Sequence, residues 1–153
     1  MANSDLSCVK TATIEWRDNA PYCTEFDDVY YRSKQPFSEH GLKETNYLFI
    51  QQNNLPSRWQ NLDSLPSQNK TFSIGETGFG TGLNFLTACD LWLKTAPRDW
   101  RLKFISTENR PILADDLQAI YASWSIFSDL AKELLEKYPI LTPGVHLIEL
   151  AQG

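Results

Sequence analysis

The chain has 153 residues, of which 42% are hydrophobic and 12% aromatic, enough apolar material to bury a core, so disorder is excluded as the default state. The net charge of −5 excludes a generic polyanion-binding surface, and any RNA contact would need much of its basic surface elsewhere. Three irregularly spaced cysteines, Cys8, Cys23 and Cys89, match neither a zinc site nor a disulfide framework; with no signal-peptide pattern and no membrane-length apolar stretch, reduced thiols in the cytoplasm are the expectation.

In chain order, Thr11–Trp16 alternates and is rich in β-formers, Asp18-Asn19-Ala20-Pro21 signals a turn, and Tyr22-Cys23-Thr24 follows, which predicts a β-hairpin. The neighbouring Phe26-Asp27-Asp28-Val29-Tyr30-Tyr31 mixes aromatics with two adjacent carboxylates. These point in different directions from extended backbone and make a poor metal pair, which leaves a substrate-facing role or a local backbone cap. From Gly41, residues Leu42, Thr45, Leu48 and Phe49 share a helical face that ends before Asn53-Asn54-Leu55-Pro56, with Glu44 on its flank as an ordinary solvated acid. A short helix over Pro56–Gln60 and a polar connector over Ser64–Lys70 complete this half.

Next comes a strand over Thr71–Gly75, then Glu76-Thr77-Gly78-Phe79-Gly80-Thr81-Gly82, then a helix from Gly82 to Leu93 that carries Leu83, Phe85, Leu86 and Leu93 toward a sheet. Alternate glycines between a strand and a helix allow positive φ and close ligand approach, and the helix start directs N–H groups into the loop; a tight turn with no ligand is the bland alternative. A dinucleotide fingerprint would place its last glycine where Leu83 stands. A second parallel strand, Leu102–Thr107, ends at Glu108, where a carboxylate is placed to accept both ribose hydroxyls of an adenosine, or else to serve a helix N-terminus. Helices over Ile112–Ser123 and Ser128–Lys137 carry Leu113, Leu117, Ile120, Tyr121, Leu130, Leu134 and Leu135, with Trp124 and Phe127 read as core. Pro143-Gly144 then turns into an alternating third strand, Val145–Leu150. His40 and His146 stand apart from any nucleophile or metal cluster, and no metal is expected.

The order E-x-G-x-G-x-G resembles motif I of class I S-adenosylmethionine-dependent methyltransferases. The longer words Glu76–Leu86, Phe26–Tyr31 and Gly41–Phe49, with Phe104–Ile112 further on, resemble the methyltransferase domain of the tRNA 5-methylaminomethyl-2-thiouridine biosynthesis bifunctional protein family from about Ala12 onward. That resemblance implies an α/β, doubly wound, mainly parallel Rossmann-like sheet, incomplete here. An N-terminal hairpin and helix cap would cover residues 1–70, and the N-terminal half of the cofactor-binding fold residues 71–153.

It further implies S-adenosyl-L-methionine as cofactor, held by Glu76, Gly78, Phe79, Gly80, Thr81, Gly82, Asn84 and Glu108. Asp27, Asp28, Tyr30, Glu44 and Thr45 become candidates for substrate or pocket contacts. The implied reaction is methylation of the 5-aminomethyl-2-thiouridine amine at the tRNA wobble position, with tRNA as partner and FAD confined to an oxidoreductase domain of longer relatives. The family's catalytic aspartate, in a word of the type L-D-G-F-x-P, has no counterpart in this sequence, so the catalytic residue is unassigned and the chain alone is expected to be inactive. A flavin- or nicotinamide-binding oxidoreductase fragment and a non-catalytic remnant that only binds cofactor are the competing readings.

Overall fold

The computed structural model describes residues 9–31, 36–64 and 69–150; Cys8 and most of the predicted Ser64–Lys70 connector lie outside them. Two sheets are present: an antiparallel β1 (Ile14–Arg17), β2 (Ala20–Cys23) and β3 (Asp28–Val29), and a parallel pair, β4 (Thr71–Thr77) with β5 (Arg101–Thr107). The hairpin turn is tighter than expected. Only Asp18 and Asn19 form it, with φ of 49° and 59°, and Ala20 and Pro21 already belong to β2. Two central residues with positive φ match the right-handed twist of the flanking strands.

The helix expected from Gly41 begins earlier and changes pitch. The α1 helix (Phe37–Glu44) runs directly into a π-helical segment, Thr45–Gln51. Its buried positions are Phe37, Gly41, Thr45 and Ile50, a spacing of four, four and then five, because the π-turn closes i→i+5. The predicted apolar face is therefore corrected: Leu48 and Phe49 are 43% and 46% exposed, and Ile50 takes the buried place. Gly41 has a packing reason, since a Cβ there would lie 2.7 Å from the Tyr31 ring, which rests on the helix.

Helix α2 (Leu55–Gln60) places Trp59 at zero exposure, edge-on to Trp92 and Phe72 with ring centroids 5.3 and 6.0 Å away. Trp92 comes from α3 (Leu83–Thr95), the crossover between β4 and β5, and Phe72, Ile74, Leu102 and Phe104 are the sheet residues that pack in this layer. On α3, Leu83, Leu86, Ala88 and Trp92 are buried, whereas Leu93 is 41% exposed and does not face the sheet. A second cluster joins Leu83 and Leu86 to α4 (Ala114–Tyr121) and α5 (Ser128–Glu136) through Leu117, Ile120, Leu130 and Leu134. Trp124 and Phe127 sit in this core at 2% exposure each, as read, while Leu113 precedes α4 and is 45% exposed.

The register of the parallel pair runs from Thr71 opposite Arg101 to Thr77 opposite Thr107. One face is packed; the other, through Ser73, Gly75, Thr77, Lys103, Ile105 and Thr107, is exposed. Among the described residues this is an α/β arrangement with two parallel strands, consistent with an incomplete Rossmann-like sheet. The expected third strand, Val145–Leu150, is not formed. Alternation sets only which face a residue takes, and a strand also needs a paired backbone; here Val145 and Leu147 are 100% and 85% exposed on irregular backbone.

Trp59 offers a test of the inner layer. Its indole Nε1 is buried without a hydrogen-bond partner among the described residues. Trp59→Ala should cost about 3–5 kcal/mol by cavity formation. Trp59→Phe should cost clearly less, because removing an unmade buried N–H recovers part of a penalty of about 1–3 kcal/mol. Urea unfolding that gave equal losses for the two would contradict this packing.

Candidate functional site

The parallel pairing brings the ends of β4 and β5 side by side, so the glycine loop after Thr77 meets the turn after Thr107. The loop is held there by backbone bonds. The N–H groups of Gly78 and Phe79 donate to the Thr107 carbonyl at 2.8 and 3.2 Å, and Gly82 N–H donates to Phe79 O at 2.8 Å. Gly78, Gly80 and Gly82 have φ of 83°, 53° and 72°, the left-handed region that glycine adopts without strain. The crowded position is Gly82, where a Cβ would lie 2.7 Å from the Phe79 ring; at Gly80 it would meet only Tyr30, at 3.6 Å.

Glu108 closes the loop. Its Oε2 accepts from Gly80 N–H at 2.8 Å and its Oε1 from Arg110 N–H at 2.7 Å, so one carboxylate ties the loop to the end of β5. Within the loop, the N–H groups of Gly78, Phe79, Gly80 and Gly82 have acceptors within the protein.

A cavity of about 630 Å³ opens over the loop. Gly78, Phe79, Gly80, Thr81 and Asn84 line one wall, Asp28 and Tyr30 come from the hairpin, and Glu44, Thr45 and Phe49 from the helix cap. Of the predicted pocket candidates, the structure thus brings together Asp28, Tyr30, Glu44 and Thr45. Asp27 is not among the lining residues; its carboxylate accepts the Tyr22 hydroxyl, and the local backbone bond is made by Asp28, whose Oδ1 accepts from Val29 N–H at 2.8 Å. Glu76, Gly82 and Glu108 support the loop rather than line this cavity.

A chain of side-chain bonds links cap and loop. Thr45 Oγ1 donates to Asn84 Oδ1 at 3.1 Å, and Asn84 Nδ2 donates to Glu76 Oε2 at 3.3 Å. Burial, with a smaller push from the Glu108 charge, raises this carboxyl above the usual range, against the lowering effect of hydrogen bonds from Ser106 and Asn84. On the opposite side the Tyr31 and Thr81 hydroxyls bond at 2.8 Å, which ties the hairpin's end to the loop; burial holds the Tyr31 phenol far above its ordinary pKa.

Five lining residues, Val29, Tyr31, His40, Phe49 and Leu83, were not selected from the sequence. Tyr31 belongs to a motif already noticed, and the i,i+4 spacing of His40 and Glu44 was a usable signal: His40 Nε2 lies 3.8 Å from Glu44 Oε2. Phe49 had no such signal, because α-helical periodicity assigns it to the core. His146 stays apart, its Nε2 2.8 Å from Thr142 O. Among the described residues no group of His, Cys, Asp and Glu is arranged to hold a metal ion, and no helix is long and apolar enough to cross a membrane.

No family model matches the chain. Among curated proteins it is 42% identical over 144 residues to the tRNA 5-methylaminomethyl-2-thiouridine biosynthesis bifunctional protein MnmC of Legionella pneumophila strain Corby. It is 44% identical over 136 residues to the protein of that name from strain Lens, and 40% over 146 residues to that of Marinomonas sp. strain MWYL1. These matches take in 94%, 89% and 95% of this chain but 21%, 19% and 20% of the relatives, so the chain spans about one fifth of their length. The resemblance carried by the glycine loop and its flanking words extends along nearly the whole sequence.

Glu76 yields a pH-dependent prediction. A carboxyl whose folded pKa is raised loses stability as pH climbs past the unfolded value of about 4.3, because the unfolded chain ionises first. The deficit grows until pH passes the raised folded pKa and is constant above it. Glu76→Gln should therefore raise the thermal midpoint at pH 7 and leave it nearly unchanged at pH 3.5. A midpoint lowered at pH 7 would show that the ionised carboxylate stabilises the fold.

Proposed function

We propose that this chain binds S-adenosylmethionine at the glycine loop and forms the cofactor-binding part of a methyltransferase for the exocyclic amine of 5-aminomethyl-2-thiouridine at the tRNA wobble position. The observation that carries the cofactor reading is the Glu108–Gly80 bond beside a cavity with no Lys or Arg in its lining. A pyrophosphate needs loop N–H groups and positive charge. Here the Gly80 N–H already serves a carboxylate, and no Lys or Arg is among the residues lining the cavity. Asp28 and Glu44 line it, and Glu76 and Glu108 lie behind its loop, an environment that favours a cationic ligand free of phosphate. This favours S-adenosylmethionine over the nicotinamide and flavin dinucleotides.

The residues present fit that cofactor. Glu76, whose carboxylate lies behind the loop, is an acceptor suited to an ammonium group, and Gly78 and Gly80, where a Cβ would meet nothing or only Tyr30, leave space for an extended ligand. Glu108 retains unused lone pairs on both oxygens, because a carboxylate has about four acceptor sites and two are occupied. It would hold the ribose hydroxyls while still bracing the loop. When bound, the cofactor supplies an electrophilic methyl group on a sulfonium. The chain's own contribution is positioning: Asn84, fixed by Thr45 and Glu76, sets the loop-side wall, and Tyr30 over Gly80 narrows it. The tRNA substrate is proposed from the relatives' printed name, and the second function in that name is assigned to the four fifths of their length outside the match.

Calorimetry with S-adenosylhomocysteine tests the cofactor reading. The wild-type chain should bind it and should not bind NAD or FAD. Gly80→Val should abolish binding, because a β-branched residue resists φ of 53°. Glu108→Ala should weaken it by about 1.5–3 kcal/mol, the range for hydrogen bonds to a charged group. Undiminished affinity in Gly80→Val, or binding of NAD in preference, would overturn the assignment.

A further inference from the structure

We propose that Phe49 is the ring on which the acceptor's nucleobase stacks, an assignment that rests on the methyltransferase reading and adds to it the residue that recognises the base. The π-helical segment is the starting point. Seven consecutive π-helical residues are rare, and π-turns concentrate at functional sites because their geometry is poorer than that of the α-helix. Continued α-helical pitch would place Phe49 on the packed side, four residues beyond the buried Thr45. The wider turn gives that place to Ile50, at 3% exposure, and turns Phe49 into the cavity wall at 46% exposure. The chain thus gives up burial of a large aromatic side chain and presents it at the one cavity that contains the glycine loop.

Position within the cavity identifies the occupant. Phe49 and Asn84 both line the cavity, one from the helix cap and the other from the start of α3. Glu108, the ribose acceptor of the proposed cofactor, braces the loop from the end of β5 and is not among the cavity-lining residues. The proposed ribose acceptor thus lies outside the lining to which the Phe49 ring belongs, and the planar group assigned to Phe49 is the acceptor base rather than adenine. Tyr30 is a second ring in the same lining, and Glu44 and Asp28 stand beside these rings as acceptors for an amine carried by the base. Recognition of an unstacked base by an exposed aromatic face suits an acidic chain, since stacking needs no positive charge.

The probes are S-adenosylhomocysteine and the free nucleoside 5-aminomethyl-2-thiouridine, titrated by calorimetry and ligand-observed NMR into wild-type, Phe49→Ala, Phe49→Leu and Phe49→Tyr chains. Phe49→Ala and Phe49→Leu should bind S-adenosylhomocysteine like wild type and weaken nucleoside binding about tenfold, within the range seen on removing a base-stacking ring. Phe49→Tyr, which keeps the ring, should restore it. Nucleoside affinity unchanged in Phe49→Ala, or retained by Phe49→Leu, would overturn stacking. Loss of S-adenosylhomocysteine binding in Phe49→Ala would give the ring to the cofactor and overturn the proposal while sparing the methyltransferase reading. Failure of wild type to bind S-adenosylhomocysteine would instead remove that reading, and the proposal with it. Unfolding of both Phe49→Ala and Phe49→Leu would show a structural role and overturn the proposal as well.

Discussion

The bond between the Glu108 carboxylate and the Gly80 N–H is the constraint on which the site depends. Two parallel strands end at the same level, and a glycine-rich loop leaving one of them would have many conformations open to it. Three acceptors at the end of β5 remove that freedom: the Thr107 carbonyl, which takes two N–H groups, and the two Glu108 oxygens, one on the loop and one on the turn that follows. A charge-assisted bond is about twice as strong as a neutral one, so the carboxylate is the strongest of these ties. It also sets the electrostatics. A loop whose glycine N–H groups are used by the protein, next to a carboxylate, repels the phosphates that glycine loops of dinucleotide enzymes attract, and the cation-favouring character of the cavity follows from the same bond.

The rest of the chain can be understood as support for that loop from two sides. From below, Leu83 and Leu86 anchor the start of α3 in the core shared with α4 and α5. From above, the hairpin and the helix cap reach over it by two polar contacts, Tyr31 to Thr81 and Thr45 to Asn84. One contact comes from strained backbone, Tyr31 at φ of 63°, and the other from the first π-helical position, Thr45. A non-glycine residue in the left-handed region costs on the order of 1–3 kcal/mol and persists only where surrounding structure holds it. At Tyr31 the bond to Thr81 and the packing on Gly41 supply that support.

What was legible in the sequence divides along the same line. The strand–loop–helix unit could be read because alternate glycines and helical periodicity are local signals; Glu108 was placed at the end of β5, but its bond to Gly80 N–H crosses between strands and no local pattern announces it. The cap could not be read so well. Leu48 and Phe49 looked like core residues because periodicity assumes 3.6 residues per turn, whereas packing of Thr45 and Ile50 selected a wider turn that no local pattern encodes. Val145–Leu150 failed for a related reason: alternation describes faces, but a strand exists only where another backbone pairs with it. The carboxylates separated similarly. Asp27 and Asp28 are adjacent in sequence, yet the bond to Tyr22 takes the first away from the cavity that the second lines.

The carboxylate of Glu76 connects these threads. Burial makes its charged form unfavourable in a ligand-free fold, and the nearby Glu108 charge makes it more so. Replacing it with an apolar residue would relieve the fold and leave Asn84 without its acceptor. Asn84 would then lose the bond that orients it toward Thr45, and the π-helical segment would lose its tie to the loop. The carboxylate thus stands at the centre of a polar chain running from β4 to the cap, and its uncompensated charge is what a cationic ligand would neutralise. A fold that keeps such a group stores, at the end of its first parallel strand, a preference for that ligand's charge.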